Sequence, residues 1–409
     1  MKILLFANIG TANNGFYHIG DEAMFLETYY WYQKNHKSTN LSIFTSKKNH
    51  QNLKVTELLN FDFNNEKPRI YFLKLILKFL LYKFSKTNFL SKNEFEFINI
   101  IREQDIIHFC GGGNLTSLFK PWLFYSYSLI VIAKILGKKI FLTSQTIGPF
   151  NFTDKVISFF VLNLVKVINI REPNNSLLKY GIILPNIGKT LDAAHSLPTI
   201  KNKNINIARQ SKIRIGISIH QWKNYNEILV SNLVRLIQQI SKKYSIEILL
   251  IPHIIATNEF ESYGDVIYMS KITKKLKNSI IVLGLDINFY TQTNYEIAQI
   301  SKTLTSTCDL VFSSRYHGIV FSLSENVPCM TFISDEYYSQ KNIGALNFYY
   351  SEKYSDYSIN LNNKNIFNEL KNKTERILKN IDKEKKYITD INKQFSTLDN
   401  KFYKNLIFN

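Results

Sequence analysis

Short apolar runs alternate with longer stretches of helical periodicity along most of the chain, and this alternation restricts the possible folds more than any other feature. In the first half the apolar runs are 2–9, 41–45, 106–110, 139–144 and 167–170. Near-continuous apolar strands are typical of parallel sheets that helices cover on both faces. Helical periodicity over 21–35 and 124–136 supplies two such helices. The pattern therefore predicts an α/β domain.

A polar segment rich in Lys and Asn, 201–212, interrupts the alternation, which restarts at 214–219 with further strands predicted at 246–251, 280–284, 310–313 and 329–333. The chain has 409 residues, more than one core normally serves. We therefore predict an α/β fold with two Rossmann-like domains, 1–200 and 213–360, the linker 201–212 and a helical tail, 361–409. Because ligands of open α/β sheets bind at the carboxyl ends of strands, we expect the two domains to face one cleft.

The charge balance favours an anionic partner. The chain has 51 Lys and Arg against 32 Asp and Glu, a formal net charge of +19. A chain with this excess of positive charge attracts any of three anionic partners: nucleic acid, an acidic membrane surface, or a phosphorylated or carboxylated substrate. The excess is mostly Lys in a background rich in Asn and Ile, a bias that an AT-rich genome also produces. No nucleic-acid recognition motif is present, so we predict no nucleic-acid partner.

The cysteines and the apolar runs predict a cytoplasmic protein. Cys110, Cys308 and Cys329 lie far apart and lack the spacing of a disulfide framework or a zinc site. Asparagines follow the apolar N-terminus at once, which indicates a strand rather than a signal peptide. The longest apolar run, 156–165, is too short to span a bilayer.

Residues 69–90 combine a nearly continuous apolar face with basic residues and no acidic one. On a helix Lys74 and Lys78 share a face, which suits an interfacial helix lying on anionic lipid, peripherally at the inner face of the membrane. A surface helix packed on its own domain with solvated lysines accounts for the pattern equally well.

A glycine-containing loop follows the first predicted strand. It includes Asn14 and leads through Gly20 to Asp21, which lies where a helix N-cap belongs. Glycines allow close backbone approach to a ligand, so the loop suits an anion or a sugar. The alternative is an ordinary turn capped by Asp21. The loop matches neither of the glycine motifs that bind nucleotides.

Three consecutive glycines, Gly111, Gly112 and Gly113, follow the strand predicted at 106–110. They leave amide N–H groups free to face a phosphate or carboxylate. They also suit a crowded strand-to-helix crossing where side chains would clash. Taken alone, the triplet fits both interpretations.

Arg171 also follows a predicted strand, where it could hold a carboxylate or phosphate through two hydrogen bonds. The alternative is a surface network with Glu172. His195 lies a little further along the chain, and it fits either a catalytic role or a hydrogen-bonded histidine between the domains.

Two histidines follow predicted strands of the second half, in Ile-Pro-His at 251–253 and in Arg-Tyr-His-Gly at 315–318. Histidine titrates near neutral pH and can act as a general acid or base. We predict that Arg315 holds an anionic group whose reaction His317 assists, and that His253 is a second acid/base candidate.

Several of these motifs occur in a characteristic order, beginning with Asn-Asn-Gly and Gly-Asp-Glu-Ala at 13–23, Gly-Gly-Gly-Asn-Leu at 111–115 and Ser-Gln-Thr-Ile-Gly-Pro at 144–149. Arg-Glu, Asp-Ala-Ala, Ile-Pro-His and Ser-Arg-Tyr-His-Gly then follow. In this order the chain resembles the polysaccharide pyruvyl transferase family over about residues 1–350. Phe16-Tyr-His-Ile19, within the first motif, is a departure from the family pattern.

The resemblance implies a two-domain fold like that of the GT-B glycosyltransferases and no metal or other cofactor. It implies two substrates as partners: phosphoenolpyruvate is the donor, and a sugar of a surface polysaccharide or its precursor is the acceptor. The enolpyruvyl unit of the donor ends up on the sugar as a pyruvate ketal. The residues expected to bind substrate lie on the matching motifs: Arg171, Asn14, Asp21, Gly111, Gly112, Gly113, Asn114 and Gln145. Two other functions stay open, a glycosyltransferase with a nucleotide-sugar donor and a non-catalytic subunit of polysaccharide assembly.

Overall fold

The computed structural model describes residues 1–7, 9, 16–45, 53–59, 67–85, 89–172, 187–200, 208–222, 226–256, 264–276, 280–283 and 297–408. The chain divides into two compact units. The first unit is Met1–Ile9 with Met24–Ala193, and the second is Gly10–Ala23 with Ala194–Asn409. The division at Ala193 lies close to the predicted domain end at 200. The assignment of a segment before residue 24 to the second unit was not predicted.

The strands, numbered in chain order, are β1 Lys2–Phe6, β2 Phe16–His18, β3 Asn40–Thr45, β4 Thr56–Leu59, β5 Ile106–Phe109, β6 Gly112–Leu115, β7 Lys139–Ile147, β8 Val167–Ile170, β9 Ile187–Lys189, β10 Ile213–Ser218, β11 Ile246–Leu250, β12 Ile254–Ala256, β13 Ile281–Leu283, β14 Leu310–Ser313, β15 Cys329–Ile333 and β16 Ser358–Asn360. The longer helices are Ile19–Asn35, Pro68–Ser85, Lys92–Arg102, Lys120–Ile135, Phe152–Leu162, Asn226–Ile240, Asp265–Lys275, Ile297–Ser306, Tyr316–Ser324, Gly344–Tyr350, Ile366–Lys379 and Ile381–Phe408. Shorter helical turns cover Ser117–Phe119, Ala193–Ser196, Glu336–Tyr338, Ser339–Ile343 and Ser351–Tyr357.

The first unit is built on a parallel sheet of order β4-β3-β1-β5-β7-β8-β9, with β6 pairing β7 as well. The direction of strand addition reverses between β1 and β5. Strands β1 and β5 are almost wholly buried, as their apolar sequences predict. Ligands of such sheets bind beyond the carboxyl ends of the strands at the point of reversal.

Helix Lys120–Ile135 lies in the core of the first unit and packs against helix Pro68–Ser85, with the rings of Phe72 and Phe124 5.7 Å apart. Among the described residues, one helical stretch, Ser117–Ile135, is long and apolar enough to cross a membrane. A helix buried in a protein core meets the same criterion, and more than half of this stretch is buried in the first unit.

The second unit repeats the architecture, with a parallel sheet of order β13-β11-β10-β14-β15-β16 and its reversal between β10 and β14. The two sheets confirm the predicted α/β fold with Rossmann-like halves. Strand β2, from near the start of the chain, pairs antiparallel with β12, so that His18 lies opposite Ile254.

The C-terminal helices belong to the second unit. Lys385 Nζ lies 2.7 Å from Asp309 Oδ1, and Asn392 Nδ2 donates to the carbonyl oxygen of Leu323 at 2.8 Å. The tail from 361 onward therefore packs on the second half of the chain.

Candidate functional site

Three predicted catalytic residues come together in the second unit, at the point where its strand order reverses. Ser218 at the end of β10 is the register partner of Ser313 at the end of β14. His253 follows β11, and Arg315 and His317 follow β14. The rings of His253 and His317 lie on the same Phe321 ring, at centroid distances of 5.5 and 6.4 Å. The second sheet thus presents these side chains where ligands of such sheets bind.

Arg315 is held by a buried carboxylate that the sequence did not single out, Asp265. Arg315 Nε donates to Asp265 Oδ2 at 3.1 Å, and Nη2 donates to the other oxygen. The backbone N–H groups of His253 and Ile254 also donate to Oδ2, each at 2.9 Å. Asp265 is 1% exposed, whereas the Arg315 side chain is 19% exposed. The carboxylate therefore fixes the guanidinium plane while part of that side chain stays accessible.

His317 explains why residue 20 is glycine. A Cβ atom built on Gly20 would lie 1.8 Å from His317 Nδ1, far inside any contact distance. Gly20 is in the first turn of helix Ile19–Asn35, and only the absence of a side chain lets the imidazole lie against that backbone. The first motif of the chain and the last one therefore meet within the second unit.

His18 is a site residue that the sequence analysis missed. It lies on β2, and the next residue, Ile19, donates its backbone N–H to the carbonyl oxygen of His253 at 3.0 Å. Burial lowers the pKa of His18, the Asp21 carboxylate opposes this, and the Arg315 charge adds to the lowering. His18 belongs to the Phe-Tyr-His-Ile departure, which was the one signal that could have found it.

His253 is neutral at physiological pH. It is 4% exposed, and its Nδ1 lies 2.7 Å from Ser218 Oγ. Burial, together with the nearby His317 and Arg315, lowers the pKa of His253 to about 3. At pH 7 such a histidine is a neutral imidazole with one N–H group, so it can accept a proton but is not the imidazolium that an acid requires.

A further buried histidine, His220, supports the same edge of the sheet. Its Nδ1 lies 2.7 Å from Ser314 Oγ and its Nε2 2.6 Å from Tyr338 Oη. Burial and the charges of Arg315 and Lys341 hold the pKa of His220 well below its usual range. Both ring nitrogens are satisfied by hydroxyl groups, so this histidine positions Ser314, the neighbour of Arg315.

The glycine triplet of the first unit lies at the reversal point of its sheet, and its backbone geometry accounts for two of the glycines. Gly111 and Gly112 have φ angles of +117° and +135°. A Cβ atom on Gly111 would lie 2.3 Å from Met24 Sδ. Gly112 pairs with Gln145 in the β6–β7 ladder, and a Cβ atom there would meet only Asn114 Nδ2, at 3.7 Å. Crowding therefore accounts for Gly111, and the positive φ angle accounts for Gly112.

The other first-unit residues predicted to bind substrate differ in exposure. Gly113 and Asn114 are half-buried. Gln145 is 3% exposed and donates from Nε2 to the carbonyl oxygen of Thr143 at 3.0 Å. Their predicted contacts with substrate stay predictions.

Arg171 is buried within an ion-pair network. Its side chain is 1% exposed, with Nη1 2.7 Å from Asp192 Oδ2 and Nε 3.6 Å from Glu172 Oε1. Nε also donates to Thr146 Oγ1 at 2.9 Å. The predicted network with Glu172 is therefore buried rather than on the surface, and the predicted role of Arg171 in binding an anion stays a prediction.

The remaining candidates are distributed as follows. Asp21 lies within the first turn of a helix that begins at Ile19, so it is not the N-cap. Asn14 is outside the described residues. His195 is hydrogen-bonded through Nε2 to Tyr349 Oη at 2.8 Å and to Asn392 Oδ1 at 3.1 Å. All three residues belong to the second unit, so these bonds fit a structural histidine but not one between the domains. In the described part of the chain, no group of three or more His, Cys, Asp or Glu could hold a metal ion.

Comparison with known proteins gives one family and a set of similar folds. The family model described as polysaccharide pyruvyl transferase matches residues 18–337. No curated protein matches the sequence. Similar solved structures include a glycosyltransferase from Rickettsia africae ESF-5, 13% identical with a TM-score of 0.56, over 100% of this chain and 99% of that one.

A putative UDP-N-acetylglucosamine 2-epimerase from Listeria monocytogenes is also 13% identical, with a TM-score of 0.55 over 95% of this chain and 90% of that one. A UDP-GlcNAc 2-epimerase from Neisseria meningitidis has a TM-score of 0.53 at 13% identity, over 98% of this chain and 100% of that one. At these identities the likeness establishes the fold, which is that of the GT-B glycosyltransferases and related epimerases.

Proposed function

This chain belongs to the polysaccharide pyruvyl transferase family, and we propose that it transfers the enolpyruvyl unit of phosphoenolpyruvate to a sugar of a surface polysaccharide or its precursor. The product is a pyruvate ketal, and the reaction needs no metal or other cofactor. The observation that carries the proposal is the convergence of His18, His253 and His317 around the Arg315–Asp265 pair. Imidazoles can both give and take protons, and a fixed cation beside them can hold an anionic substrate.

The donor is a dianion or trianion with a phosphate and a carboxylate, and several groups are suited to hold it. Arg315 is the N-cap of helix Tyr316–Ser324, and no side chain caps that helix start. The first backbone N–H groups of a helix and its dipole favour an anion. Lys341, whose Nζ lies 5.5 Å from the centroid of the Tyr316 ring, adds a second cation nearby. We assign the anionic groups of the donor to this cluster.

We assign the general acid to His317. The acid must be a protonated imidazolium at working pH, and His253 stays neutral because burial lowers its pKa to about 3. His317 is only half-buried and lies against the backbone of Gly20. Protonation of the methylene carbon of phosphoenolpyruvate by His317 makes C2 electron-poor, as in an oxocarbenium ion.

A sugar hydroxyl then attacks C2, forming a C–O bond, while a neutral imidazole takes the hydroxyl proton. His18 and His253 are both suited to this role, since burial lowers the pKa of each. The C2–O bond to phosphate next breaks, and phosphate leaves with the bonding electron pair. A second hydroxyl of the same sugar attacks C2 and loses its proton, which closes the ketal.

The test is phosphate release from phosphoenolpyruvate by the purified full chain, offered a panel of nucleotide-linked and lipid-linked sugars. Mass spectrometry of each acceptor reports the gain of a pyruvyl ketal. We expect release and mass gain with the same acceptor, and no change in rate when a chelator is added.

Absence of release across the panel, together with saturable binding of a nucleotide sugar and no binding of phosphoenolpyruvate, would overturn the proposal in favour of a glycosyltransferase. A third outcome is that the protein shows neither pyruvyl transfer nor nucleotide-sugar binding. If polysaccharide assembly then also tolerates substitution of Arg315 and His317, the protein is a non-catalytic subunit.

A further inference from the structure

Exposed apolar side chains are concentrated on one part of the first unit. Eleven of the fifteen large apolar side chains that are exposed in the described residues lie on helix Pro68–Ser85, on helix Phe152–Leu162 or directly beside them. The most exposed are Phe152 at 83%, Phe84 at 78%, Phe160 at 65% and Leu77 at 60%. Single exposed apolar residues are ordinary, but a concentration of this size marks an interaction surface.

Each helix buries one face and exposes a second apolar face. Helix Pro68–Ser85 packs Phe72, Leu75 and Phe79 into the core. Leu73, Leu77 and Phe84, at the spacing of one helical stripe, stay exposed. Residues 69–85 therefore have features of both interpretations: the helix packs on its own domain, and it still presents an apolar face.

Helix Phe152–Leu162 repeats the arrangement. It buries Ser158, Val161 and Leu162 and exposes Phe152, Val156 and Phe160, again at the spacing of one helical stripe. The sequence analysis gave this segment no interaction role.

One buried carboxylate holds the two helices together. Asp154, 0% exposed, accepts from Arg69 Nη2 at 2.7 Å and from Ser117 Oγ at 2.7 Å. Arg69 lies in the first turn of the first helix, Asp154 lies in the first turn of the second, and Leu118, 47% exposed, is next to Ser117. The exposed apolar stripes therefore belong to one rigid part of the first unit.

The exposed charges on these two helices are basic. Helix Pro68–Ser85 has no acidic residue, and the single acidic residue of helix Phe152–Leu162 is Asp154, which is buried and paired. Lys67, Lys74, Lys83 and Lys120 are exposed on or beside the same segments. Lysines flanking an apolar face are attracted to anionic lipid headgroups.

We propose that helices Pro68–Ser85 and Phe152–Leu162 together form a docking surface for an anionic lipid bilayer, with the apolar stripes entering the interface and the lysines contacting the headgroups. A second copy of this chain is a poorer occupant, because it would bring the same lysines, on a chain of net charge +19, against each other. The proposal does not depend on the chemistry of the histidine site.

The test is flotation of the full chain with vesicles of phosphatidylcholine, with and without phosphatidylglycerol. We expect binding that requires phosphatidylglycerol and weakens as salt is raised. The triple variant Leu77→Gln, Phe84→Gln, Phe160→Gln should bind at least about tenfold more weakly, since each side chain loses its apolar contact with the interface. The matched control is Ile228→Gln with Ile267→Gln, two residues of the second unit that are 42% and 40% exposed, and it should bind as the wild type does.

Circular dichroism of the triple variant should show unchanged thermal unfolding, because the three side chains are exposed. Failure of the wild type to float, or equal flotation of the triple variant, would overturn the proposal. So would a wild type that does not float but forms a dimer which the triple variant abolishes, because the surface would then bind a second copy. Vesicle binding is measured without substrate, so its loss is distinguishable from failure of the pyruvyl transfer assay.

Discussion

Two arginines of this protein follow parallel strands and pair with an aspartate, yet their surroundings differ. Arg171 follows β8 in the first unit and pairs with Asp192, and Arg315 follows β14 in the second unit and pairs with Asp265. The Arg171 side chain is 1% exposed and the Arg315 side chain 19%. Four histidines, His18, His220, His253 and His317, lie near Arg315, whereas a second carboxylate, Glu172, lies beside Arg171. An arginine after a parallel strand, paired with an aspartate, is therefore part of a buried ion-pair network in the first unit and part of the candidate site in the second.

The largest expected effect is on stability. Replacing Arg171 by Met leaves the buried Asp192 carboxylate without its cation, and loss of one partner of a buried ion pair costs about 3–5 kcal/mol. We expect chemical denaturation to show a loss of that size for Arg171→Met and a smaller loss for the matched variant Arg315→Met, since Asp265 keeps two backbone donors. A stable Arg171→Met protein that no longer binds phosphoenolpyruvate would instead support the predicted substrate role of Arg171.

The next effect is on turnover. His317→Ala should lower kcat by about 10²- to 10⁴-fold, the usual contribution of a general acid. The half-buried site should keep its stability within about 1 kcal/mol, which denaturation would check. His195→Gln is the control, since His195 has hydrogen-bond partners outside the site and its replacement should change kcat only slightly. Near-normal turnover of His317→Ala would remove this residue from the acid role.

A smaller effect is expected from Gly20→Ala. The added methyl group displaces the His317 imidazole, and a displacement of about 1 Å can cost about a hundredfold in rate. Displacing the imidazole costs free energy, but a helix favours Ala over Gly by about 1 kcal/mol. The two effects oppose each other, so the free energy of unfolding should hardly change. In a His317→Ala background the same substitution should have no further effect on kcat. Additive losses in the double variant would show that Gly20 acts through something other than His317.

The smallest effect is a pH dependence of stability that both units share. Burial lowers the pKa of His108 in the first unit to about 3, as it does for His253 in the second. Below about pH 6.5 these histidines bind protons in the unfolded chain but not in the folded one, so folding stability is complete above that pH and falls as the pH drops towards 3.

Each such histidine should remove about 1.4 kcal/mol of unfolding free energy per pH unit in that window. Denaturant titrations at pH 7 and pH 5.5 would measure the slope, and His108→Gln should reduce it by one such increment. An unchanged slope in that variant would mean that His108 already titrates in the folded protein.

Much of the fold follows from local sequence, because buried parallel strands are apolar and their flanking residues are not. The strands predicted at 246–251, 310–313 and 329–333 match β11, β14 and β15 within a residue. Their order in the sheet also fits the rule for Rossmann-like folds. Strands β2 and β12 were not predicted, since three-residue strands carry little periodicity and the two are far apart in the sequence.

The candidate site was only partly predictable for the same reason. His253, Arg315 and His317 follow apolar strands, and that position identifies them. Asp265 lies in the first turn of a helix, where acidic residues are common for local reasons, so its pairing with Arg315 depends on tertiary contacts. Arg171 could not be told from Arg315 by sequence, because what separates them is the carboxylates that other elements bring near.

The β2–β12 pairing has a consequence for how this protein can be dissected. A fragment that starts at Ala194 contains the whole second sheet but lacks the residue 16–18 strand, and with it His18, Gly20 and the backbone against which His317 lies. In such a fragment β12 would lack its partner strand β2, and the candidate site would lack His18 and Gly20. The C-terminal half is therefore not an interchangeable module, and a chimera between relatives would have to exchange the early segment together with it.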